Sequence, residues 1–147
     1  MGVGQKFTLK ATVSPTKANQ KCKWTSSNSK IASVDKNGKV VAKKIGTINI
    51  TATTTNGKKA ICKITVKKAP TGIKLNKTKL TIKKGRKYTL KATLPKGSLN
   101  TLKWTTSNGR IATVNSKGLV TGKKKGKATI TVKTYNGKSA KCKVTVK

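Results

Sequence analysis

The sequence lacks most of the side chains on which enzymatic sites depend. Its 147 residues include one acidic residue, Asp35, and no histidine. A carboxylate pair for general acid–base catalysis and a Ser-His-Asp triad are therefore excluded. A calcium site takes several carboxylates, and three scattered cysteines without histidine form no zinc ligand set. We predict no catalytic, cofactor-binding or metal-binding residues, and hence no enzyme.

Large aromatic residues and long apolar runs are also scarce. Aromatic residues make up 3% of the chain and apolar residues 33%, so any core must be small and built from aliphatic side chains. No run is long and apolar enough to cross a membrane, and no signal-peptide core follows Met1. We expect a segment without a transmembrane span, which is either intracellular or part of a larger secreted protein.

One stretch of the sequence occurs twice. The run Lys23-Trp24-Thr25-Ser26-Ser27-Asn28 returns as Lys103-Trp104-Thr105-Thr106-Ser107-Asn108, and a short apolar segment and a glycine turn follow each copy. A repeat of this length indicates one structural unit used twice. We predict two domains, 1–68 and 69–147, joined by a short linker that contains Pro70.

Alternation of apolar and polar residues predicts β-strands along the whole chain. Phe7, Leu9, Ala11 and Val13 alternate with polar residues and are expected to face inward. Asn-Gly dipeptides late in each repeat predict tight hairpins. No amphipathic helix of useful length appears. Many short strands with frequent turns predict an all-β fold of β-sandwiches.

Five runs in the second repeat resemble a known family. In order they are Tyr88-Thr89-Leu90-Lys91-Ala92-Thr93, Trp104-Thr105-Thr106-Ser107-Asn108, Ile111-Ala112-Thr113-Val114, Gly118-Leu119-Val120-Thr121 and Gly126-Lys127-Ala128-Thr129-Ile130-Thr131. This combination resembles a group 2 bacterial immunoglobulin-like domain, and the first repeat shows the same pattern. The resemblance implies two tandem immunoglobulin-like β-sandwiches without catalytic activity. It also implies an extracellular or cell-surface location, since such domains occur in intimin- and invasin-like adhesins and in some phage structural proteins. No shared binding motif can be transferred.

The two repeats differ at their start. Aligning Gly4 with Gly85 leaves segment 71–83 without a counterpart in the first repeat. The first domain is therefore expected to lack its first strand and to expose an open strand edge. A fragment boundary explains this, and so does a strand supplied by another copy of the chain. The second explanation predicts self-association through the open edge.

Trp24 and Trp104 are predicted to be core residues, because their strand parity points them inward. A ligand platform is the alternative for both. Cys62 and Cys142 occupy the same position in each repeat and are expected to be buried free thiols. A Cys22–Cys62 disulfide remains open as an alternative.

Charge is the most informative feature of the sequence. There are 36 Lys+Arg residues against 1 acid, a net charge of +35, and only Arg86 and Arg110 are arginines. Lysine is a point charge without the bidentate fork of arginine, so base-specific contacts are not expected. The missing acids predict binding to anionic polymers such as teichoic acid, acidic glycan, lipopolysaccharide or nucleic acid, with release of counterions. The alternative is a surface that serves solubility alone.

The predicted polyanion-binding residues are lysines at outward parity or in turns, together with one tyrosine whose ring can stack on a sugar or base. They are Lys21, Lys23, Lys59, Lys63, Lys67, Lys103, Lys123, Lys124, Lys125, Lys138, Lys141, Lys143 and Tyr135. The function predicted is a non-enzymatic structural or adhesion module of a bacterial surface. The alternatives are an inert spacer that presents another domain, and a nucleic-acid-binding or membrane-active cationic protein.

Overall fold

The computed structural model describes residues 1–15 and 19–147. These residues form fifteen β-strands and no helix, which confirms the predicted all-β fold. The described part of the chain accordingly offers no helix capable of spanning a membrane. The chain divides into two compact units, Met1–Ala69 and Pro70–Lys147.

Unit 1 contains two three-stranded antiparallel sheets, ordered β1-β4-β3 and β2-β5-β6. Period-two alternation places one face of each sheet toward the core, where Ile50 and Val66 are fully buried. The strands are β1 (Lys6–Thr8), β2 (Cys22–Ser26), β3 (Ala32–Val34), β4 (Lys39–Ala42), β5 (Gly46–Thr54) and β6 (Lys59–Val66).

Unit 2 repeats this arrangement and adds strands at its start. The sheets are ordered β11-β14-β15-β8, β12-β13-β9 and β10-β7. The strands are β7 (Lys74–Leu75), β8 (Lys79–Ile82), β9 (Lys87–Thr89), β10 (Ala92–Thr93), β11 (Leu102–Thr106), β12 (Ala112–Val114), β13 (Leu119–Gly122), β14 (Gly126–Thr134) and β15 (Ser139–Val146). Strand β8 lies parallel to β15, whereas the other described strand pairs are antiparallel.

The added strand β8 covers the edge of β15 in unit 2, whereas the equivalent edge of β6 in unit 1 is largely open. In unit 2, β8 covers β15 over four residue pairs, and Leu80 is only 6% exposed in the core. In unit 1 the described contacts at this edge are confined to its end, where Gly2 forms a parallel bridge with Lys67 and main-chain hydrogen bonds of 2.8 to 3.1 Å join Met1 and Val3 to Thr65 and Lys67. Ile61, which lies on β6, is 66% exposed.

Phe7 differs from its expected position. It is 56% exposed, so its predicted inward placement was wrong. Its counterpart in unit 2, Tyr88, is half-buried beside the segment after β7: the Asn76 amide donates to the tyrosine hydroxyl at 3.3 Å, and the Lys77 ammonium lies 5.6 Å from the ring centroid. The sequence of residues 1–69 contains no counterpart of this segment, and Phe7 therefore lacks the cover that Tyr88 has.

The tryptophans border the cores without being enclosed by them. Trp24 and Trp104 pack against the buried clusters of their units, and both are half-buried. The three cysteines are free thiols. Cys142 is fully buried, whereas Cys22 and Cys62 are half-buried. The expectation of full burial for Cys62 was wrong, because the strand that covers its counterpart in unit 2 has no equivalent beside β6 among the described residues of unit 1.

Candidate polyanion-binding face

The outer face of the four-stranded sheet of unit 2 alternates lysine and threonine. Both residue types suit an exposed strand face, because β-branched threonine favours the extended backbone and lysine keeps its ammonium in water. We call this surface the lysine–threonine face. It consists of Lys79, Thr81, Lys103, Thr105, Lys127, Thr129, Thr131, Lys133, Lys141, Lys143 and Thr145, all at outward positions of β8, β11, β14 and β15.

Strand register places lysines directly beside one another on this face. Lys103 lies opposite Lys133 across β11 and β14, and Lys143 lies beside Lys79 across β15 and β8. Like charges at directly opposed positions destabilise a sheet. The sequence from Pro70 to Lys147 has no aspartate or glutamate to compensate them. The face is therefore a concentration of unbalanced positive charge.

A groove of about 450 Å³ crosses one end of the lysine–threonine face. We call it the β8 groove. Its charged and hydroxyl-bearing lining residues are Lys79, Lys127, Lys143, Thr81, Ser107, Thr129 and Thr145, and the remainder are Leu80, Ala128 and Val144. Thr129 and Thr145 are half-buried, which shows that the neighbouring side chains and strands partly enclose the groove.

A hydrogen bond holds the Ser107 hydroxyl of the groove lining in place, whereas the Thr145 hydroxyl is available to a ligand. The amide of Thr129 donates to the Ser107 hydroxyl oxygen at 2.9 Å, which anchors this serine against β14. In unit 1, Thr47 and Thr65 occupy the positions of Lys127 and Thr145, and their hydroxyls lie 3.3 Å apart and form a hydrogen bond. Lys127 occupies the position of Thr47, so the Thr145 hydroxyl loses this partner and faces the groove.

The matching sheet of unit 1 has a weaker charge pattern. Lys23 and Lys59 both lie opposite Thr53, and Lys63 lies opposite Asn49. Among the described residue pairs of this sheet, no lysine is directly opposed to another.

The remaining predicted residues are dispersed. Lys21 precedes β2, Lys67 follows β6, and Lys138 lies in the turn between β14 and β15. Residues 123–125 form the connection from β13 to β14. Tyr135 lies at the hairpin end of β14, away from the groove, and burial raises the pKa of its hydroxyl. Of the predicted set, the sheet brings Lys103, Lys141 and Lys143 onto one face.

Sequence analysis missed three lysines of this face. Lys127 and Lys133 have outward parity on β14, so their alternation with Ala128, Ile130 and Val132 was a sufficient signal. Lys79 reaches the face through the parallel pairing of β8 with β15, which joins segments far apart in sequence. No local pattern reveals that pairing.

The single acidic residue has a role in a turn. The Asp35 carboxylate accepts hydrogen bonds from the amides of Asn37 at 2.8 Å and Lys39 at 3.0 Å. In unit 2, Asn115 accepts the equivalent bonds from Lys117 and Leu119. An uncharged oxygen therefore performs the same function. Among the residues that the structure describes, no group of three or more His, Cys, Asp or Glu side chains is placed to hold a metal ion.

Comparison with known proteins finds relatives that are much longer than this chain. An uncharacterised protein of Clostridium acetobutylicum is 34% identical over 151 residues, which covers 98% of this chain and 16% of that protein. The minor capsid protein of Enterobacteria phage T3 is 50% identical over 66 residues, which covers 45% of this chain and 15% of the phage protein. The chain thus spans about a sixth of these curated relatives.

Among solved structures, the S-layer protein rSbsC(31-844) is similar at 25% identity with a TM-score of 0.47, covering 86% of this chain and 20% of that one. The family described as bacterial Ig-like domain (group 2) matches residues 1–64 and again residues 69–144. The second match includes β8 and all residues of the lysine–threonine face except Thr145. The chain therefore belongs to the group 2 bacterial Ig-like domain family, of which it contains two tandem members.

Proposed function

We propose that this chain is a non-enzymatic structural or adhesion module of a bacterial surface or extracellular protein, and that it binds anionic polymers through its lysines. Tandem Ig-like units supply a stable scaffold, and function in such scaffolds resides in the surface sites that they present. The surface of this chain combines 36 basic residues with 1 acid. Its evident partners are polymers that bear many negative charges.

The observation on which the proposal rests is the direct opposition of lysines in the sheet. Lys103 with Lys133 and Lys143 with Lys79 form two such pairs on one face. A spacer needs only solubility, which mixed charges provide without this cost. Repulsion between opposed ammonium groups is relieved when an anion lies between them, so these pairs favour a binding surface over an inert spacer.

Binding would proceed mainly by counterion release. Adjacent strands lie about 4.8 Å apart, and alternate residues on a strand lie about 7 Å apart. The ammonium groups on flexible stems can therefore reach successive charges along an extended polymer. Lysine forms no bidentate fork, so affinity should follow charge density and salt with little dependence on base sequence.

The test is calorimetry of the binding of heparin, polyphosphate and duplex DNA to the whole chain. The salt concentration is varied from about 50 to about 300 mM, because the affinity of such contacts falls steeply with salt in this range. We expect binding to all three polymers at low salt and a linear fall of log K with log salt. Absence of binding to all three at low salt would leave the lysines as a solubility device and the chain as a spacer.

We also propose that unit 1 self-associates through the outer edge of β6 over residues 59–64, where a second copy of the chain pairs edge to edge. The end of this edge, at Thr65 and Lys67, is already bonded to Met1 and Val3. In unit 2 the corresponding edge is occupied, and the Lys143 amide donates to the Thr78 carbonyl at 2.8 Å. Ile61 adds an apolar side chain that is 66% exposed beside the open edge. Charge repulsion opposes association, so sedimentation at high salt is the condition to test. Ile61→Lys, which copies Lys141, should abolish any dimer, and a dimer unaffected by it would contradict this edge.

A further inference from the structure

We infer that the β8 groove is a phosphate subsite, in which unit 2 binds the phosphate groups of an extended, non-aromatic anionic polymer. The inference rests on the proposed function. The inference adds a location to that function, which is the β8 groove. It also adds a ligand chemistry, which is a row of phosphates such as a polyol-phosphate chain or inorganic polyphosphate.

The donors in the groove match the acceptors of a phosphate. Lys79, Lys127 and Lys143 line one concavity, and Lys143 and Lys79 are direct neighbours across two strands. Threonine and serine hydroxyls lie between these charges. Lysine binds phosphate as a point charge, and its charge-assisted hydrogen bonds are about twice as strong as neutral ones.

Partial enclosure strengthens these contacts relative to the rest of the surface. Thr129 and Thr145 are half-buried in unit 2, whereas their unit 1 counterparts, Asn49 and Thr65, are exposed. An anion in the groove is therefore less hydrated than one on an open lysine surface. The three groove lysines are themselves exposed, so salt still screens their contacts.

The lining also argues against other anionic polymers. None of the described residues that line the groove is aromatic, so it offers no platform on which nucleic-acid bases can stack. Neither arginine of the chain lines it, so it lacks the bidentate fork that suits carboxylates and phosphates alike. Lysine point charges with hydroxyls between them bind phosphate oxygens without such a fork.

Unit 1 provides a natural comparison within the same chain. Its equivalent sheet has Thr47 where unit 2 has Lys127, and the Thr47 hydroxyl is bonded to Thr65. No described strand of residues 1–69 supplies a lysine in the place of Lys79. Two of the three groove lysines are therefore particular to unit 2, and the phosphate subsite is expected there alone.

The test replaces groove lysines by threonine and compares an equal loss of charge elsewhere on the same face. The groove variant is Lys79→Thr with Lys127→Thr, and the control is Lys133→Thr with Lys141→Thr, which lie outside the groove lining. Because Lys79 and Lys127 are exposed, the loss of their two contacts together is worth about tenfold in affinity. At 150 mM salt (about physiological ionic strength), we expect the groove variant to bind polyphosphate about tenfold more weakly, and the control to lose much less. In the unchanged chain, polyphosphate should shift the amide resonances of Thr129 and Thr145.

Parallel titrations with a glycerol-phosphate polymer, polyphosphate and heparin show which of these anionic polymers binds through the groove lysines. Selective loss of both phosphate polymers in the groove variant, or of one of them, supports the subsite and identifies its ligand. Equal loss in the two variants would overturn the subsite and leave the proposed function intact, since attraction would then follow total charge. A groove variant that loses heparin alone would overturn the phosphate assignment. Failure of the unchanged chain to bind any of the polymers at low salt would instead overturn the proposed function.

Discussion

The indole of Trp104 packs directly over Gly118, so that a Cβ on this glycine would lie 2.9 Å from the indole carbon Cζ2 and would clash still more closely with the Leu90 carbonyl oxygen. Gly118 also has a φ of +80°, a conformation that glycine adopts without strain. Unit 1 repeats the relationship, with Trp24 over Gly38. The repeated tryptophan and the repeated glycine turn therefore form one structural feature, in which the turn provides the surface on which the half-buried ring rests.

Gly118→Ala should destabilise unit 2 more than the backbone strain alone explains. A non-glycine residue at positive φ costs about 1–2 kcal/mol, and the clash of the new Cβ with the Leu90 carbonyl and the packed indole should add about 1–3 kcal/mol. Gly137→Ala is the matched control, because Gly137 has a φ of +86° and a Cβ added there would enter open space. Urea unfolding monitored by tryptophan fluorescence gives both values. Equal losses in the two variants would show that close packing of Leu90 and Trp104 on Gly118 contributes nothing.

Lys133→Thr should stabilise unit 2 at low salt. The change removes the like-charge opposition with Lys103, which is worth about 0.2–1 kcal/mol. Lys141→Thr serves as the control, since Lys141 lies opposite Thr131 and the variant reports only the higher strand propensity of threonine. The difference between the two variants should vanish in 1 M salt, where charges about 3 Å apart or more are screened. A difference that persists in high salt would not be electrostatic.

Cys142 should be the least reactive thiol of the chain. It is 0% exposed, and burial raises the pKa of its thiol, an effect that Lys77 partly opposes. The thiolate is the reactive species, so labelling should require local opening, whereas half-buried Cys22 and Cys62 should react sooner. Site-resolved mass spectrometry after maleimide treatment measures this order. Labelling of Cys142 as fast as Cys62 in the native protein would contradict it.

The same shift in pKa has a consequence for stability. Because the folded thiol has the higher pKa, its contribution is fully present below the pKa of the unfolded thiol and is lost as the pH rises through the folded value. Unit 2 should therefore lose stability on the alkaline side more steeply than a Cys142→Ala variant, which lacks this titration. Parallel denaturation curves of the two proteins as a function of pH provide the measurement. Identical pH dependence would rule out the linkage.

Local patterns predicted the strands and the positions of the paired hairpins, because period-two alternation and Asn-Gly turns are encoded within a few residues. The two-residue turn that Asn-Gly predicts was wrong, since four residues (55–58 and 135–138) connect the strands and only Gly57 and Gly137 have a positive φ there. They did not predict the surroundings of each strand. Phe7 has the alternation of a core residue, yet it is exposed where unit 2 covers Tyr88 with Asn76 and Lys77. Lys79 joined the candidate site only through the parallel pairing of β8 with β15. Both differences depend on contacts between distant segments, which no local period specifies.

Completing unit 1 with a strand should stabilise it. A segment copied from residues 71–84 and placed ahead of Gly4 in exchange for Met1–Val3 would supply counterparts of β7 and β8, and thereby cover Phe7 and the open edge of β6. In unit 2 the equivalent segment buries Leu80 to 6% exposure beside Val144. Burial of such a side chain contributes about 1.5–3 kcal/mol, so the first unit should unfold at a higher temperature.

A matched control distinguishes a core-filling strand from a longer chain. The same added segment with the counterpart of Leu80 changed to serine retains the backbone pairing but loses the apolar side chain. We expect most of the gain in thermal stability to disappear with this change, and protection of the Cys62 thiol to fall with it. Sedimentation of the extended protein at high salt should show no dimer, because the edge is then occupied. No gain in stability from either segment would show that the edge of β6 does not accept a strand.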